Sequence, residues 1–254
     1  MNTMKVLVVD DNVINQKVAS KMLQRMNIAA DVAGDGNAAV EASRQVHYDL
    51  ILMDVQMPVM DGLEATKMIR AEEHGNLHTP IIALTANALQ GDRERCLQSG
   101  MDDYLSKPIK QQDIDYMVKK WISPLSESLS ETNSVSRSEE VSIIDPKRIE
   151  QIKEIGDDGL FRELLALYLE DLAQYSNDIS LAHSQNNFQQ IYECSHKLKG
   201  SSANLGVESI RAACIIMEQA ANDADEEKIT SQISVMKNLI ERTRQHILIT
   251  YPPV

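Results

Sequence analysis

The sequence predicts a protein of two domains, an α/β domain with a five-stranded parallel sheet in residues 1–122 and an all-α antiparallel helical bundle in residues 145–254. Three observations favour this division. In the first half, short apolar runs alternate with amphipathic segments, whereas in the second half apolar residues recur only at helical spacing. Between the halves, the stretch 123–140 is serine-rich and acidic and contains almost no apolar residues.

The first half has the pattern of a doubly wound sheet. Apolar or β-branched runs bounded by turn residues predict buried strands at 5–9, 29–33, 49–53, 80–84 and 102–105. Helices are predicted between them, as where Ile14, Val18, Met22 and Met26 repeat every four residues and so share one helix face. Because strands alternate with helices, we expect a parallel sheet covered by helices on both faces.

The second half is predicted to be entirely helical. Residues such as Leu160, Leu164 and Leu167 form one apolar stripe, and Gly, Asn or Asp marks the breaks between stripes. This pattern predicts helices over 147–155, 160–183, 188–198, 207–221 and 229–248. Short connections between helices of this length favour an antiparallel bundle.

A flexible linker is predicted for residues 123–144. A segment with this composition cannot bury enough apolar surface to offset the entropy lost on ordering. The linker leaves two halves that are each near the usual size of a domain.

Composition restricts the partners of the chain. With 25 Lys and Arg against 38 Asp and Glu, the net charge is −13, which repels a phosphate backbone and disfavours nucleic-acid binding. No apolar run approaches the ~20 residues that span a bilayer, so no membrane contact by this chain is expected. The three cysteines form no disulfide framework and favour a cytoplasmic location.

Polar residues follow the predicted strands at the points where the strands end. Asp10 and Asp11 follow the first strand, Asp54 the third and Thr85 the fourth, while Lys107 lies just past the fifth. The carboxyl ends of parallel strands meet at one edge of a sheet, so these side chains are expected to converge. A helix N-cap is the ordinary alternative for any one of these aspartates.

Three converging carboxylates require a counter-charge. Each pair at 4 Å repels by about 4 kcal/mol at an effective dielectric constant near 20. Oxygen ligands with open positions suit Mg²⁺. Lys107 would add a positive charge and Thr85 a hydroxyl group, both useful to a phosphoryl group carried by one carboxylate.

His196 is the candidate site residue of the second half. On a helix, Lys199 and Gly200 lie on the same face as its imidazole, and a glycine inside a helix costs about 1 kcal/mol relative to alanine. The missing side chain would let the site of another protein approach the ring, and Lys199, with Lys197 nearby, would neutralise charge on a phosphorylated imidazole. The residues alone equally allow a half-buried histidine with a glycine that serves helix packing.

The motifs of the first half resemble those of response-regulator receiver domains, which have a flavodoxin-like fold. The strings VLVVDDNVINQKVA, DLILMDVQMPVMDGLEATKMIR, ALTAN and YLSKPI carry this resemblance across residues 4–122. It implies that Asp54 accepts the phosphoryl group. It also implies that Mg²⁺ binds Asp11 and Asp54 directly, Asp10 through water, and the backbone carbonyl of Gln56.

The same resemblance implies roles for three further residues. Lys107, with a cis bond to Pro108, would pair with the phosphoryl oxygens. Thr85 would turn toward the phosphoryl group, and Tyr104 would change rotamer with it. A half-buried core tyrosine is the alternative for Tyr104.

In the second half, the string HKLKGSSANLG resembles the phosphoacceptor motif of histidine-containing phosphotransfer (HPt) domains. It implies that His196 accepts the phosphoryl group, with Lys199 and Gly200 as local support. The order of the two domains resembles the C-terminal part of hybrid sensor histidine kinases. The sequence contains no glycine-rich nucleotide loop, so no ATP-dependent kinase core is expected in this chain.

We therefore expect a two-component phosphorelay protein that passes a phosphoryl group between Asp54 and His196. Its partners would be an upstream histidine kinase and a downstream response-regulator receiver. The alternative is a binding module switched by phosphorylation of Asp54, in which the helical half only docks partners. A Mg²⁺-dependent hydrolase is less favoured, because the motifs offer no second acid or base.

Overall fold

The computed structural model describes residues 4–74, 77–85, 90–122 and 143–252. The first half alternates strands and helices in the order β1 (Lys5–Val9), α1 (Val13–Arg25), β2 (Ala29–Ala33), α2 (Gly36–Gln45), β3 (Leu50–Asp54), α3 (Gly62–Glu72), β4 (Ile81–Thr85), α4 (Gln90–Gln98), β5 (Asp103–Ser106) and α5 (Gln111–Trp121). The predicted α/β class is confirmed.

The five strands form one parallel sheet in the order β2-β1-β3-β4-β5. The first two strands have the predicted bounds, whereas the last three each begin and end one residue later than predicted. The reason is that pairing continues through the polar residues at the rim: Asp54 pairs with Leu84, and Thr85 with Ser106. The ladder thus carries these side chains to the carboxyl edge.

Two apolar layers cover the sheet. One face packs against α1 and α5, and the opposite face packs against α2, α3 and α4. The side chain of Asn12 caps α1 by accepting bonds from the backbone of Ile14 and Asn15. This cap begins α1 directly after Asp10 and Asp11, at the edge where the acidic residues lie.

The second half consists of α6 (Pro146–Ser184), α7 (Phe188–Leu205), α8 (Glu208–Asn222) and α9 (Glu226–Thr250). The backbone of α6 leaves helical geometry at Gly156 and Asp157, where the sequence predicts a break. At the end of α7, Gly206 adopts φ 74°, a left-handed conformation that glycine tolerates and that closes the helix. Within the described ranges, no helix combines the length and apolarity needed to cross a membrane.

The two halves pack against each other through α1, which contacts both α6 and α7. The apolar cluster on the α1 face of the sheet is continuous with the core of the bundle. Of the predicted linker, residues 123–142 lie outside the described residues. Its last residue, Ile144, is fully buried in the apolar cluster that the two halves share.

Candidate functional site

Three carboxylates converge at the carboxyl edge of the sheet. Asp10 and Asp11 follow β1 and Asp54 ends β3, and one oxygen atom from each lies within 4.8 Å of the others. The ammonium group of Lys107 lies 2.7 Å from Asp10 and 2.6 Å from Asp54. The bond from Lys107 to Pro108 is cis, as the resemblance implies. The donor set consists of oxygen atoms, so it fits a hard divalent cation such as Mg²⁺.

Burial controls the charges of this cluster. Burial raises the pKa of Asp54 to about 7, against the lowering effect of the Lys107 ammonium group. Burial also raises the pKa of Asp11, and Lys197 opposes this shift. The pKa of Lys107 is raised despite its burial, because Asp10 and Asp54 both stabilise its charge. Lys107 therefore stays protonated as a counter-charge in this site.

The other predicted site residues of the first half do not all lie at the acidic cluster. Thr85 and Gln56 line the same cavity as Asp54, and the backbone N–H of Gln56 donates to Asp54 Oδ1 at 3.2 Å. Tyr104 instead packs against the apolar layer on the α2 face, with the Arg93 guanidinium 5.7 Å from its ring centroid. The structure thus brings Thr85 and Gln56 to the site, and it places Tyr104 in the neighbouring packing layer.

His196 lies on α7 and contacts a carboxylate of α8. Its Nδ1 lies 3.0 Å from Glu218 Oε1, and the ammonium group of Lys199 lies 2.6 Å from Glu218 Oε2. Burial opposes ionisation of Glu218, but hydrogen bonds from His196 and Lys199 hold the pKa of this carboxyl below its usual value. An ionised carboxylate can only accept, so Nδ1 carries a hydrogen, and in the neutral form of the ring the lone pair lies on Nε2.

His196 of the second half and Asp54 of the first half come together at one cavity. Both line a cavity of about 450 Å³, together with Gln56, Thr85 and Tyr192. The rings of Tyr192 and His196 are nearly parallel, with centroids 6.0 Å apart. The hydroxyl of Tyr192 accepts a hydrogen bond of 3.1 Å from the side chain of Gln56. The site is therefore built from both halves of the chain.

Residues next to His196 hold α7 against the acidic cluster. Lys197 Nζ lies 3.0 Å from Asp11, so this lysine pairs with the receiver-side carboxylate rather than with the imidazole. A Cβ atom on Gly200 would lie 3.3 Å from Asn15 Nδ2, which is a tight contact. The sequence predicts that this glycine lets the site of another protein approach, whereas in the structure the group next to it is Asn15 of the same chain.

Sequence reasoning missed Glu218, Tyr192 and Asn15. A sequence signal exists for Glu218, because it lies four residues after Cys214 and three before Ala221, on the apolar face of α8. The structure leaves it 9 % exposed, and a buried glutamate needs a partner. Asn15 gives no such signal, since a polar residue near the start of a helix is ordinary. The role of Asn15 depends on which surface of the second half packs against α1.

The fold and site define a protein with an aspartate-rich α/β domain docked on a histidine-bearing helical bundle. Residues 6–119 match the family model of the response regulator receiver domain, and residues 163–246 match that of the Hpt domain. The chain therefore belongs to the two-component signalling proteins and carries a receiver domain followed by an Hpt domain.

Similar proteins include hybrid histidine kinases. The sensor histidine kinase GacS of Pseudomonas protegens is 35% identical over 216 residues, which cover 83% of this chain and 23% of GacS. The kinase BarA of Escherichia coli K12 is 31% identical over 229 residues, 89% of this chain and 25% of BarA. The chain thus spans about a quarter of the length of these relatives.

A solved structure is similar to the first half alone. The receiver domain of a sensor histidine kinase from Pseudomonas aeruginosa, crystallised with a magnesium ion in its active-site cleft, is 48% identical. The match covers 47% of this chain and 98% of that domain, with a TM-score of 0.44.

Proposed function

We propose that this chain is a phosphorelay element that transfers a phosphoryl group between Asp54 and His196, and between His196 and an aspartate of a separate receiver. The observation that carries the proposal is the shared cavity, which is lined by both Asp54 and His196. Bringing the two groups together converts a bimolecular reaction into a step within one chain.

The chemistry requires few groups beyond these two. The Nε2 lone pair of His196 attacks the phosphorus of phospho-Asp54, a P–N bond forms, the P–O bond breaks and Asp54 leaves as a carboxylate. The Nδ1 proton stays on the ring, which becomes positively charged. Glu218, ionised and within 3.0 Å of Nδ1, stabilises that charge. Lys107, 2.6 Å from Asp54, remains next to the oxygen atom that becomes negative.

We propose that Asp10, Asp11 and Asp54 hold Mg²⁺ at this site, with Gln56 contributing its backbone carbonyl. When bound, Mg²⁺ supplies positive charge for the phosphoryl oxygens. Three carboxylates with oxygen atoms inside 4.8 Å support the assignment. Thr85 lines the same cavity, which supports a role for its hydroxyl as a donor to a phosphoryl oxygen.

We also propose the bounds of the two domains, the partners of the chain and the location of the reaction. We propose a receiver unit over residues 1–122, a connecting segment over 123–144 and an Hpt unit over 145–254. An upstream histidine kinase would load Asp54, and a downstream response-regulator receiver would unload His196. We place these events in the cytoplasm. Tyr104 is proposed to respond to phosphorylation through its packing, and Lys199 to act through Glu218.

The alternative, a switched binding module, assigns no role to His196. The contact of His196 with Glu218, and the cavity that His196 shares with Asp54, support the relay instead. Phosphorylation-dependent partner binding that is unchanged in His196→Ala would favour the module.

The relay is tested with the whole chain and acetyl phosphate in the presence of Mg²⁺. The wild type should acquire an acid-labile, alkali-stable phosphate, which is characteristic of phosphohistidine. His196→Gln should retain only the alkali-labile phosphate of Asp54, and Asp54→Asn should acquire neither. His246→Gln changes another histidine of the same half and should behave as the wild type. Absence of the alkali-stable phosphate in the wild type would refute the assignment.

A mixing experiment separates transfer within one chain from transfer between chains. His196→Gln can donate only from Asp54, and Asp54→Asn can accept only on His196. If the docked arrangement is the reactive one, the wild type should transfer faster than the mixture at micromolar protein, because one chain supplies a high effective concentration. Phosphorylated His196 is then offered to receivers from the same genome to find the downstream partner.

A further inference from the structure

A line of hydrogen bonds crosses the boundary between the two halves, away from His196. The Arg148 guanidinium donates to the backbone carbonyl of Asn204 at 2.7 Å and to its Oδ1 at 3.0 Å. Asn204 Nδ2 donates to Asn15 Oδ1 at 2.5 Å. Asn15 Nδ2 then donates to both oxygens of Asp10, at 2.8 and 3.0 Å. Arg148 of α6 is thus connected to the acidic cluster.

The chemistry at the two ends determines the direction of this line. A guanidinium has only donors, so the Asn204 amide turns its oxygen toward Arg148 and its NH₂ toward Asn15. The Asp10 carboxylate pairs with Lys107 and accepts, so the Asn15 amide turns its NH₂ toward Asp10 and its oxygen toward Asn204. The two amides therefore meet donor to acceptor, and neither can rotate without placing like groups together.

Every member of the line is buried. The exposed fractions are 1 % for Asp10, 6 % for Asn204 and Arg148, and 7 % for Asn15. Water cannot replace a lost partner at such positions, so a mismatch between the amides is costly. Outside this line, the Arg148 guanidinium bonds only to the side chain of Gln151 among the bonds described.

The position of the amide pair is suited to align the reacting groups. Asn204 is eight residues beyond His196 on α7, about 12 Å along the helix axis. Nearer His196, α7 is held by Lys197 with Asp11, by Tyr192 with Gln56, and by the Asn12 amide, which donates to the Ser201 hydroxyl at 2.6 Å. The amide pair extends these attachments by about one more turn toward the C-terminal end of α7. Contacts spread along a helix determine its direction and register, whereas a single contact does not.

We propose that the Asn15–Asn204 amide pair is a positioning contact for phosphoryl transfer, which holds α7 in register with the acidic cluster because Asp10 orients one amide and Arg148 the other. The inference rests on the proposed relay between Asp54 and His196. Neither asparagine touches the transferring group. Their effect on the reaction passes through the alignment of His196 with Asp54.

The principal test is Asn204→Asp. The carboxylate still accepts from Arg148, so the bundle keeps its buried partner. It cannot donate to Asn15, and if the Asn15 amide rotates to donate, its oxygen faces Asp10. Rapid-quench measurement after loading with acetyl phosphate and Mg²⁺ should show transfer from Asp54 to His196 slowed about tenfold or more. The rate of Asp54 loading and the thermal midpoint of the bundle should match the wild type.

Asn187→Asp is the matched control, because it makes the same change at the exposed N-cap of the same helix, where aspartate also caps. Its transfer rate should equal that of the wild type. Coupling is tested with Asn15→Ala, Asn204→Ala and the double variant, each normalised to the phosphate loaded on Asp54. If the pair acts together, the double variant should be no slower than the slower single variant.

Two results would overturn the inference while leaving the relay intact. One is wild-type transfer in Asn204→Asp. The other is single-variant effects that multiply in the double variant, which would mean that each asparagine acts separately. Failure of the wild type to form phosphohistidine would instead refute the relay itself.

Discussion

Glu218 Oε1 lies 3.0 Å from His196 Nδ1, and the other oxygen of the same carboxylate lies 2.6 Å from Lys199 Nζ. The buried Glu218 carboxylate of α8 therefore orients the imidazole of α7. Hydrogen bonds from His196 and Lys199, which lie on the same face of α7, keep this carboxylate ionised. The arrangement resembles the orienting carboxylate of a catalytic triad, where the acid holds one ring nitrogen so that the other can react.

Removing this carboxylate should slow formation of phosphohistidine. In Glu218→Ala, the ring loses its orienting partner and Lys199 is left unpaired, so we expect transfer from Asp54 to fall about tenfold or more. Glu218→Gln keeps a hydrogen-bond acceptor and should be less impaired. Glu208→Gln, an exposed change on the same helix, is the control. Equal transfer rates in Glu218→Ala and the control would contradict this role.

Gly200→Ala should affect folding and transfer in opposite directions. Alanine in a helix interior is favoured over glycine by about 1 kcal/mol, so the bundle should unfold at higher urea. The added Cβ would lie 3.3 Å from Asn15 Nδ2 and push the halves apart, so we expect transfer about three- to tenfold slower. Loading of Asp54 by acetyl phosphate serves as the control rate and should not change. A variant that transfers as fast as the wild type would show that the approach is looser than described.

The ion pair between Lys17 of α1 and Glu163 of α6, at 2.7 Å, should contribute to docking of the two halves. Both side chains are substantially exposed, so Lys17→Glu should slow transfer only about threefold at low salt. High salt should remove the effect by screening. The swapped variant Lys17→Glu with Glu163→Lys should recover the rate. A swap that gives no recovery would exclude a direct pair.

Asp54→Asn should remove one pH dependence of the stability of the metal-free protein. Because the pKa of Asp54 in the folded state is raised to about 7, its protonation stabilises the fold at low pH, and this contribution is lost as the pH rises through 7. The variant lacks the contribution. Its stability relative to the wild type should therefore increase by about 2 kcal/mol between pH 5 and pH 8.

Urea unfolding in EDTA, followed by the single tryptophan, measures this difference in the first half, since Trp121 belongs to α5. Saturating Mg²⁺ should reduce the pH dependence of the wild type. A relative stability that does not change with pH would mean that Asp54 titrates at its usual value in the fold.

The carboxyl edge of the sheet could be predicted well from the sequence, because strand order along the chain and parallel pairing are enough to bring Asp10, Asp11, Asp54 and Lys107 together. Each of these residues directly follows a strand or lies just past it. Predicting which residues lie at this edge does not depend on how the two halves pack, because the local sequence pattern and the sheet topology determine it.

Contacts that depend on packing could not be predicted. Glu218 reaches His196 only because α8 lies beside α7, and helix pairing does not follow from apolar spacing alone. Lys197 was expected near the imidazole charge, but it pairs with Asp11 across the boundary between the halves. A one-residue rotation on a helix moves a side chain by about 100°, so neighbouring lysines face different partners.

The covered face of α7 has a further consequence. The surface that presents His196 to Asp54 is the surface any other receiver would have to reach, and α1 already lies on it. Two receiver domains cannot bind the surface around His196 at the same time. Under the relay proposed above, a separate receiver therefore competes with the first half of this chain for His196. It can bind only while the first half is undocked from α7, so a substitution that weakens docking should increase its access to His196.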